Sequence, residues 1–228
     1  MVYVLAILIV VVFQIILRIA RRYYKFPIPA LFTQLIDNPI RRRFIQPPEI
    51  VAERMELKSG MTVVEIGPGK GSYTIAVARK VLPHGKVYAV DIQESVVEHL
   101  RKRIERERIT NIHPKIDDVF SLYFEDGSVD RVLAIATLPE ILDPIKALRE
   151  FHRILKPEGL LCLSELLLDA DYPLRRTEKK WASKTGFKLK KEYGNLFVYQ
   201  LIFEKRQNSL ETSAKSTIPK TSRNANRI

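Results

Sequence analysis

The chain has a single cysteine, Cys162, and only four histidines, His84, His99, His113 and His152, scattered so widely that no zinc-type spacing exists. An intrachain disulfide is excluded, and a lone cysteine inside an apolar run suits a reducing compartment. Acid is scarce: 26 Asp and Glu stand against 38 Lys and Arg, a net charge of +12. Nucleic acid is the obvious partner for such an excess. The basic residues are nevertheless spread over an N-terminal flank, helices and tail, with no RNA-binding module or aromatic-studded basic strand, so nucleic acid is not the expected partner. No G-x-G-x-x-G fingerprint and no G-K-[ST] phosphate loop is present, which argues against dinucleotide and nucleoside-triphosphate sites. No internal repeat divides the chain.

What is present is V-V-E-I-G-P-G-K-G-S-Y-T, Val63 to Thr74. A β-prone apolar run ends in Glu65. Gly67, Gly69 and Gly71 follow at every second position, and a helix-compatible segment comes next. A strand, a turn stripped of side chains and a helix start are predicted, and such a turn lets a ligand lie against bare backbone. A carboxylate just before it repels pyrophosphate and suits a cationic ligand. About twenty residues on, Lys86 to Asp91 reads as a second buried strand ending in an acid, followed by Ile92. An Asp there accepts ribose hydroxyls or caps the helix predicted from Glu94.

A third strand, Asn111 to Ile116, leads into D-D-V-F-S-L-Y-F-E-D-G-S-V-D-R-V, Asp117 to Val132. A fourth, Asp130 to Ala136, ends in T-L-P-E. A helix from Leu142 to Leu155, a K-P-E-G turn at Lys156 to Gly159 and a fifth strand, L-L-C-L-S-E, follow. Over roughly Pro47 to Lys205 these motifs, in this order, resemble class I S-adenosylmethionine-dependent methyltransferases, and Ala147 to Leu161 is similar to quinone-biosynthesis and related small-molecule members. The resemblance implies a Rossmann-like, doubly wound α/β fold with a seven-stranded, mostly parallel sheet closed by an antiparallel hairpin. It implies S-adenosyl-L-methionine as cofactor. Glu65, Gly67, Gly69, Gly71, Asp91, Ile92, Asp118 and Val119 are the implied cofactor residues, with Asp91 on the ribose. Framing from D-G-S-V-D puts Asp118 on the adenine amino group. Asp117 stands where the family has a small residue, so either acid can serve there, and both also suit turn chemistry.

Methyl transfer from a sulfonium needs no metal, and none is expected. A general base is needed only for a protonated acceptor. Glu140, His152, Tyr123 and Tyr193 are the candidates, with Glu140 best placed because ligands sit at the carboxyl ends of strands in such sheets. The D/N-P-P-Y string of enzymes that methylate amino groups of bases or glutamine is absent, replaced by A-T-L-P.

The remaining helices are predicted at Glu49 to Leu57, Ser72 to Leu82, Glu94 to Glu107 and Leu174 to Thr185. The closing hairpin is predicted from Phe187 to Tyr193 and Leu196 to Glu204, about a Gly194-Asn195 turn. The chain divides into an apolar segment with a basic flank (1–25), a proline-rich juxtamembrane segment (26–46), the methyltransferase domain (47–206) and a polar tail (207–228) expected to be disordered. Met1 to Leu17 carries no charge, and extending to Ala20 gives roughly 30 Å of helix, enough for a bilayer core. Arg18, Arg21, Arg22 and Lys25 follow, with no cleavage site, so the reading is a single-pass anchor. Its N-terminus lies outside and its catalytic domain in the cytoplasm. Arg41, Arg42 and Arg43 can either meet anionic head groups or form a solvated run beside a core-packing segment. The function expected is a membrane-tethered methyltransferase for a lipophilic or membrane-associated acceptor, a quinone precursor or a lipid. The alternatives are a protein lysine or N-terminal methyltransferase acting on a membrane-associated protein, and a non-catalytic cofactor-binding scaffold.

Overall fold

The computed structural model describes residues 39–167, Asp169 and residues 171–206, with Leu5, Val12 and Ile16 singly. Short, nearly continuous apolar runs are separated by amphipathic stretches, the pattern of parallel strands buried on both faces between helices. Strands β1 (Thr62–Ile66), β2 (Lys86–Asp91), β3 (Ile112–Ile116), β4 (Val129–Ile135), β5 (Leu155–Leu166), β6 (Phe187–Gly194) and β7 (Val198–Lys205) form one sheet. Its order is β3-β2-β1-β4-β5-β7-β6. The first five strands run parallel, and β7 lies antiparallel to both β5 and β6. Strand order reverses between β1 and β4, where open α/β sheets place their ligands.

Helices cover both faces. On one, α1 (Pro48–Glu53), α2 (Ser72–Val81) and α3 (Glu94–Arg106) bury Val51, Val77, Leu100 and Ile104 against Val63, Val87, Leu133 and Cys162. On the other, α4 (Pro144–Ile154) and α5 (Arg175–Lys184) bury Leu148, Phe151 and Ala182 against Val132, Leu161, Leu163 and Phe203. Arg131 locks the sheet to the turn after α1 by donating to the carbonyls of Met55, at 2.8 Å, and Glu56, at 3.0 Å.

Four predicted boundaries shift, each for a local reason. The first helix stops at Glu53 because Glu56 turns left-handed, at φ 54°. The fourth begins at Pro144, where Asp143 caps it by accepting from Lys146 N at 3.0 Å and proline fits the first turn. The K-P-E-G string does not leave the sheet: Leu155 already pairs with Val129, and the register shifts before Leu160 rejoins Arg131. The hairpin turn is longer than two residues, because Asn195 Oδ1 accepts from Phe197 N at 2.8 Å and Val198 N at 3.2 Å, leaving Leu196 and Phe197 exposed at the tip. Apart from Leu5, Val12 and Ile16, the predicted span over 1–20 lies outside the described residues, as do the juxtamembrane segment before Pro39 and the tail from 207. Among the described residues, no helix is long and apolar enough to cross a membrane.

One feature of the core is costly. Glu165 on β5 and Glu178 on α5 are fully buried beside Tyr199 and face each other, and neither forms an ion pair with a described residue. Burial, reinforced for Glu165 by the facing acid, holds both carboxyls above their ordinary range. An acid whose folded value is raised favours the folded state while protonated. Stability is therefore lost as pH climbs from the ordinary glutamate value toward the raised ones. Glu178→Gln is expected to raise stability at pH 8 by about 1–3 kcal/mol while changing little at pH 4. Denaturant unfolding at the two pH values checks this, and an equal effect at both would count against the charge explanation.

Candidate active site

A cavity of about 270 Å³ opens at the carboxyl ends of β1, β2 and β4, at the strand-order reversal. The glycine turn forms its floor. Gly67 has φ 69°, and a Cβ there would lie 2.4 Å from Thr137 Oγ1, so the turn passes hard against the segment after β4. Gly69 has φ 52°, and a Cβ there would meet nothing within 4 Å. The space over Gly69 is open, a cradle that any side chain would fill. Gly67 N donates to Val90 O at 2.9 Å, tying the turn to the end of β2.

Asp91 ends β2 on the cavity wall, with Oδ1 accepting from Gln93 N at 2.9 Å. Burial raises its carboxyl above the usual aspartate range, partly offset by the backbone amides of Gln93 and Ile92. Ile92, Asp117, Asp118, Val119 and Phe120 continue that wall. Asp117 commits both oxygens to turn amides, Asp118 N at 2.9 Å and Tyr123 N at 3.0 Å. Asp118 is the more exposed of the two and accepts from Phe120 N at 2.9 Å through Oδ1. Turn chemistry and wall placement therefore coexist, and the geometry favours Asp118 as the acid that faces a ligand.

The opposite wall follows β4. Ala136 is held left-handed at φ 52°, and its N–H donates to Ser164 O at 2.8 Å. Such strain in a non-glycine residue clusters at ligand sites. Thr137, Glu140, Ile141 and Leu142 extend this wall, so Ile141 and Leu142 set apolar surface beside the Glu140 carboxylate. Arg41 closes it. Contrary to the expectation that the Arg41–Arg43 run meets head groups as a unit, Arg41 is 4% exposed. Its Nε and Nη2 donate to Gln46 Oε1 at 3.0 and 2.7 Å, Tyr73 OH donates to the same oxygen at 2.9 Å, and Gln46 Nε2 donates to Ser164 Oγ at 2.6 Å. The guanidinium is thus fixed on the wall through a buried network reaching β5.

Of the residues singled out in the sequence, the cavity gathers Arg41, Gly67, Gly69, Asp91, Ile92, Asp117, Asp118, Val119 and Glu140. Glu65 and Gly71 do not line it: Glu65 is buried, and a Cβ on Gly71 would meet Leu100 at 2.4 Å. Glu140 is the one base candidate on the wall. His152 packs edge-on against Phe187, ring centres 5.2 Å apart. Tyr123 is 86% exposed, and Tyr193 lies under Arg54 on the hairpin. Sequence reasoning missed Tyr73, Thr137 and Asp169, and it named Arg41 for another role. Only Asp169 had a signal, as the first acid after β5, by the same rule that selected Glu140 after β4. Its carboxylate, with those of Glu140 and Asp171, brings oxygens within 4.8 Å of one another, a spacing at which a metal ion or an ammonium group can be shared.

The family model described as "Methyltransferase domain" matches residues 57–210. A protein-L-isoaspartate O-methyltransferase from Methanothrix thermoacetophila is 32% identical over 135 residues, 58% of this chain and 64% of that protein. A demethylmenaquinone methyltransferase from Geobacillus stearothermophilus is 30% identical over 123 residues, 54% of this chain and 53% of that one. This chain thus spans about half the length of the curated relatives it matches. The fold is that of a methyltransferase from Aquifex aeolicus, described as S-adenosylmethionine-dependent, with a TM-score of 0.72 at 22% identity over 78% of this chain and 98% of that one.

Proposed function

The chain belongs to the methyltransferase-domain family, and from that membership we propose that it is an S-adenosylmethionine-dependent methyltransferase. We propose further that it is tethered to a membrane and acts on a lipophilic or membrane-associated acceptor, a quinone precursor or a lipid. The observation that carries the reading is one cavity with two parts: an open glycine cradle between Asp91 and Asp118, and apolar surface at Ile141 and Leu142 beside Glu140. The residues fit the cofactor. Asp91 would accept the ribose hydroxyls and Asp118 the adenine amino group, with Ile92 and Val119 against the ring. Arg41 offers a buried cation to a carboxylate.

Bound there, the cofactor would supply an electrophilic methyl group, taken up by a lone pair of the acceptor while the carbon–sulfur electron pair stays with sulfur as a neutral thioether. The chain's own work is positional: holding both partners in line contributes most of what such a displacement needs. Glu140 is placed to take a proton from an acceptor that arrives protonated. The charge-free segment over 1–17 with its basic flank supports tethering, with the domain on the cytoplasmic side. A tether raises the site's effective concentration at the bilayer. Labelled-methyl transfer into a fractionated native lysate, sorted into lipid and protein, tests the acceptor class, with label expected in the lipid extract.

The convergence of Glu140, Asp169 and Asp171 favours a second reading, a lysine or N-terminal amine of a membrane-associated protein, since three acids suit an ammonium group. On that reading Asp169→Asn raises KM for the acceptor by about tenfold with the cofactor constant unchanged. Under the lipid reading the acceptor KM stays within about twofold.

A further inference from the structure

A second opening, about 460 Å³, lies behind the glycine turn, outside the cavity just described. Arg42 and Arg43, from the turn Arg41–Ile45, meet Arg79 of α2 and Arg103 of α3 around it, with Glu49 the one carboxylate among the described residues on its wall. Two of the four cations have structural work. Arg42 donates to Ser72 Oγ at 3.1 Å, and Arg103 donates to the Lys70 carbonyl at 2.6 Å while pairing with Glu107 at 2.9 Å. Arg43 and Arg79 are exposed and form no ion pair with a described residue. Four guanidinium groups around one groove outnumber the carboxylates Glu49 and Glu107 beside them, and their planar forks match phosphate oxygens.

The same short turn decides which phosphate. Ile40 and Phe44 bracket its arginines and are 65% and 78% exposed. A free phosphate makes no use of apolar side chains beside its site. A bilayer surface takes both at once, apolar groups in the acyl boundary and arginines among anionic head groups. We infer that this groove binds the phosphate of an anionic lipid head group, with Ile40 and Phe44 inserted beside it, an assignment that rests on the membrane reading above. Arg41 of the same turn walls the methyl-transfer cavity, so docking here sets that cavity's mouth against the lipid from which a lipophilic acceptor would come.

The test uses the full chain with Phe44→Trp as the reporter, in a Trp181→Phe background because the chain has one tryptophan. The reporter chain is mixed with vesicles of brominated phosphatidylcholine, or with an equimolar mixture of phosphatidylcholine and brominated phosphatidylglycerol. Indole emission from the reporter should be quenched strongly by the phosphatidylglycerol vesicles. Adding Arg43→Gln and Arg79→Gln should weaken that quenching by about tenfold in apparent lipid affinity. Flotation on neutral vesicles reports the tether separately. Flotation without anion-dependent quenching overturns the groove and leaves the tether standing, whereas quenching without flotation on neutral vesicles does the reverse. A thermal shift with inorganic phosphate or a single-stranded oligonucleotide, without vesicles and lost in the double variant, would reassign the groove and overturn the lipid proposal.

Discussion

Asp91→Asn is expected to raise the dissociation constant for S-adenosylhomocysteine by about 30- to 150-fold, a loss of about 2–3 kcal/mol. Asparagine keeps an oxygen for Gln93 N, so the turn after β2 survives and the change isolates the charge. What is lost is a carboxylate that can accept two hydroxyl hydrogens in a site largely removed from water, where charge-assisted bonds are strongest. The same burial sets the pH dependence. Because Asp91 is held above the ordinary aspartate range, it takes up its proton at a higher pH than a free aspartate would. Wild-type affinity should therefore be full at neutral pH and fall as pH drops through that raised value, while the Asn variant stays flat. Calorimetric titrations across the acid range decide it, and parallel pH profiles for the two proteins would remove Asp91 from the ribose.

Gly67→Ala should abolish measurable cofactor binding and lower Tm. The new Cβ must occupy a left-handed backbone, costing about 1–2 kcal/mol, and it lands 2.4 Å from Thr137 Oγ1 and 2.5 Å from its Cγ2. Overpacking of that kind costs about 1–3 kcal/mol, so Tm should fall by about 5–15 °C. Two comparisons separate fold from site. Gly69→Ala has an unobstructed Cβ, so it should lose binding while giving up only about 1 kcal/mol of stability. Gly67→Ala with Thr137→Ala removes the clashing atoms and should recover part of the lost Tm. If Gly69→Ala binds as well as the wild type, the cradle is not where the cofactor lies.

The sheet was legible because its central strands β1, β2, β4 and β5 each carried an apolar run of strand length separated by helical spacing, while the edge strands β3 and β6 carry no such run and were placed by their position in the pattern. The glycine turn was legible because its glycines answer two needs at once, left-handed backbone at Gly67 and open space over Gly69. Spacing alone could not tell which residues of a motif line the cavity. Glu65 is buried and outside its lining, and a Cβ on Gly71 would run into Leu100. Nor can a run of three arginines show which one turns inward. Arg41 does so because Gln46 offers it a buried acceptor oxygen, to which Tyr73 of α2 also donates, and that arrangement exists only once α2 stands beside the turn. The facing of Glu165 and Glu178 likewise depends on how α5 docks on β5, a tertiary fact with no local trace.

The central claim is that the cavity over Gly67 and Gly69 holds S-adenosylmethionine. Its most direct test is a calorimetric titration of the full chain with S-adenosylhomocysteine at neutral pH. One-to-one binding is predicted. No heat and no thermal shift at saturating ligand would contradict it.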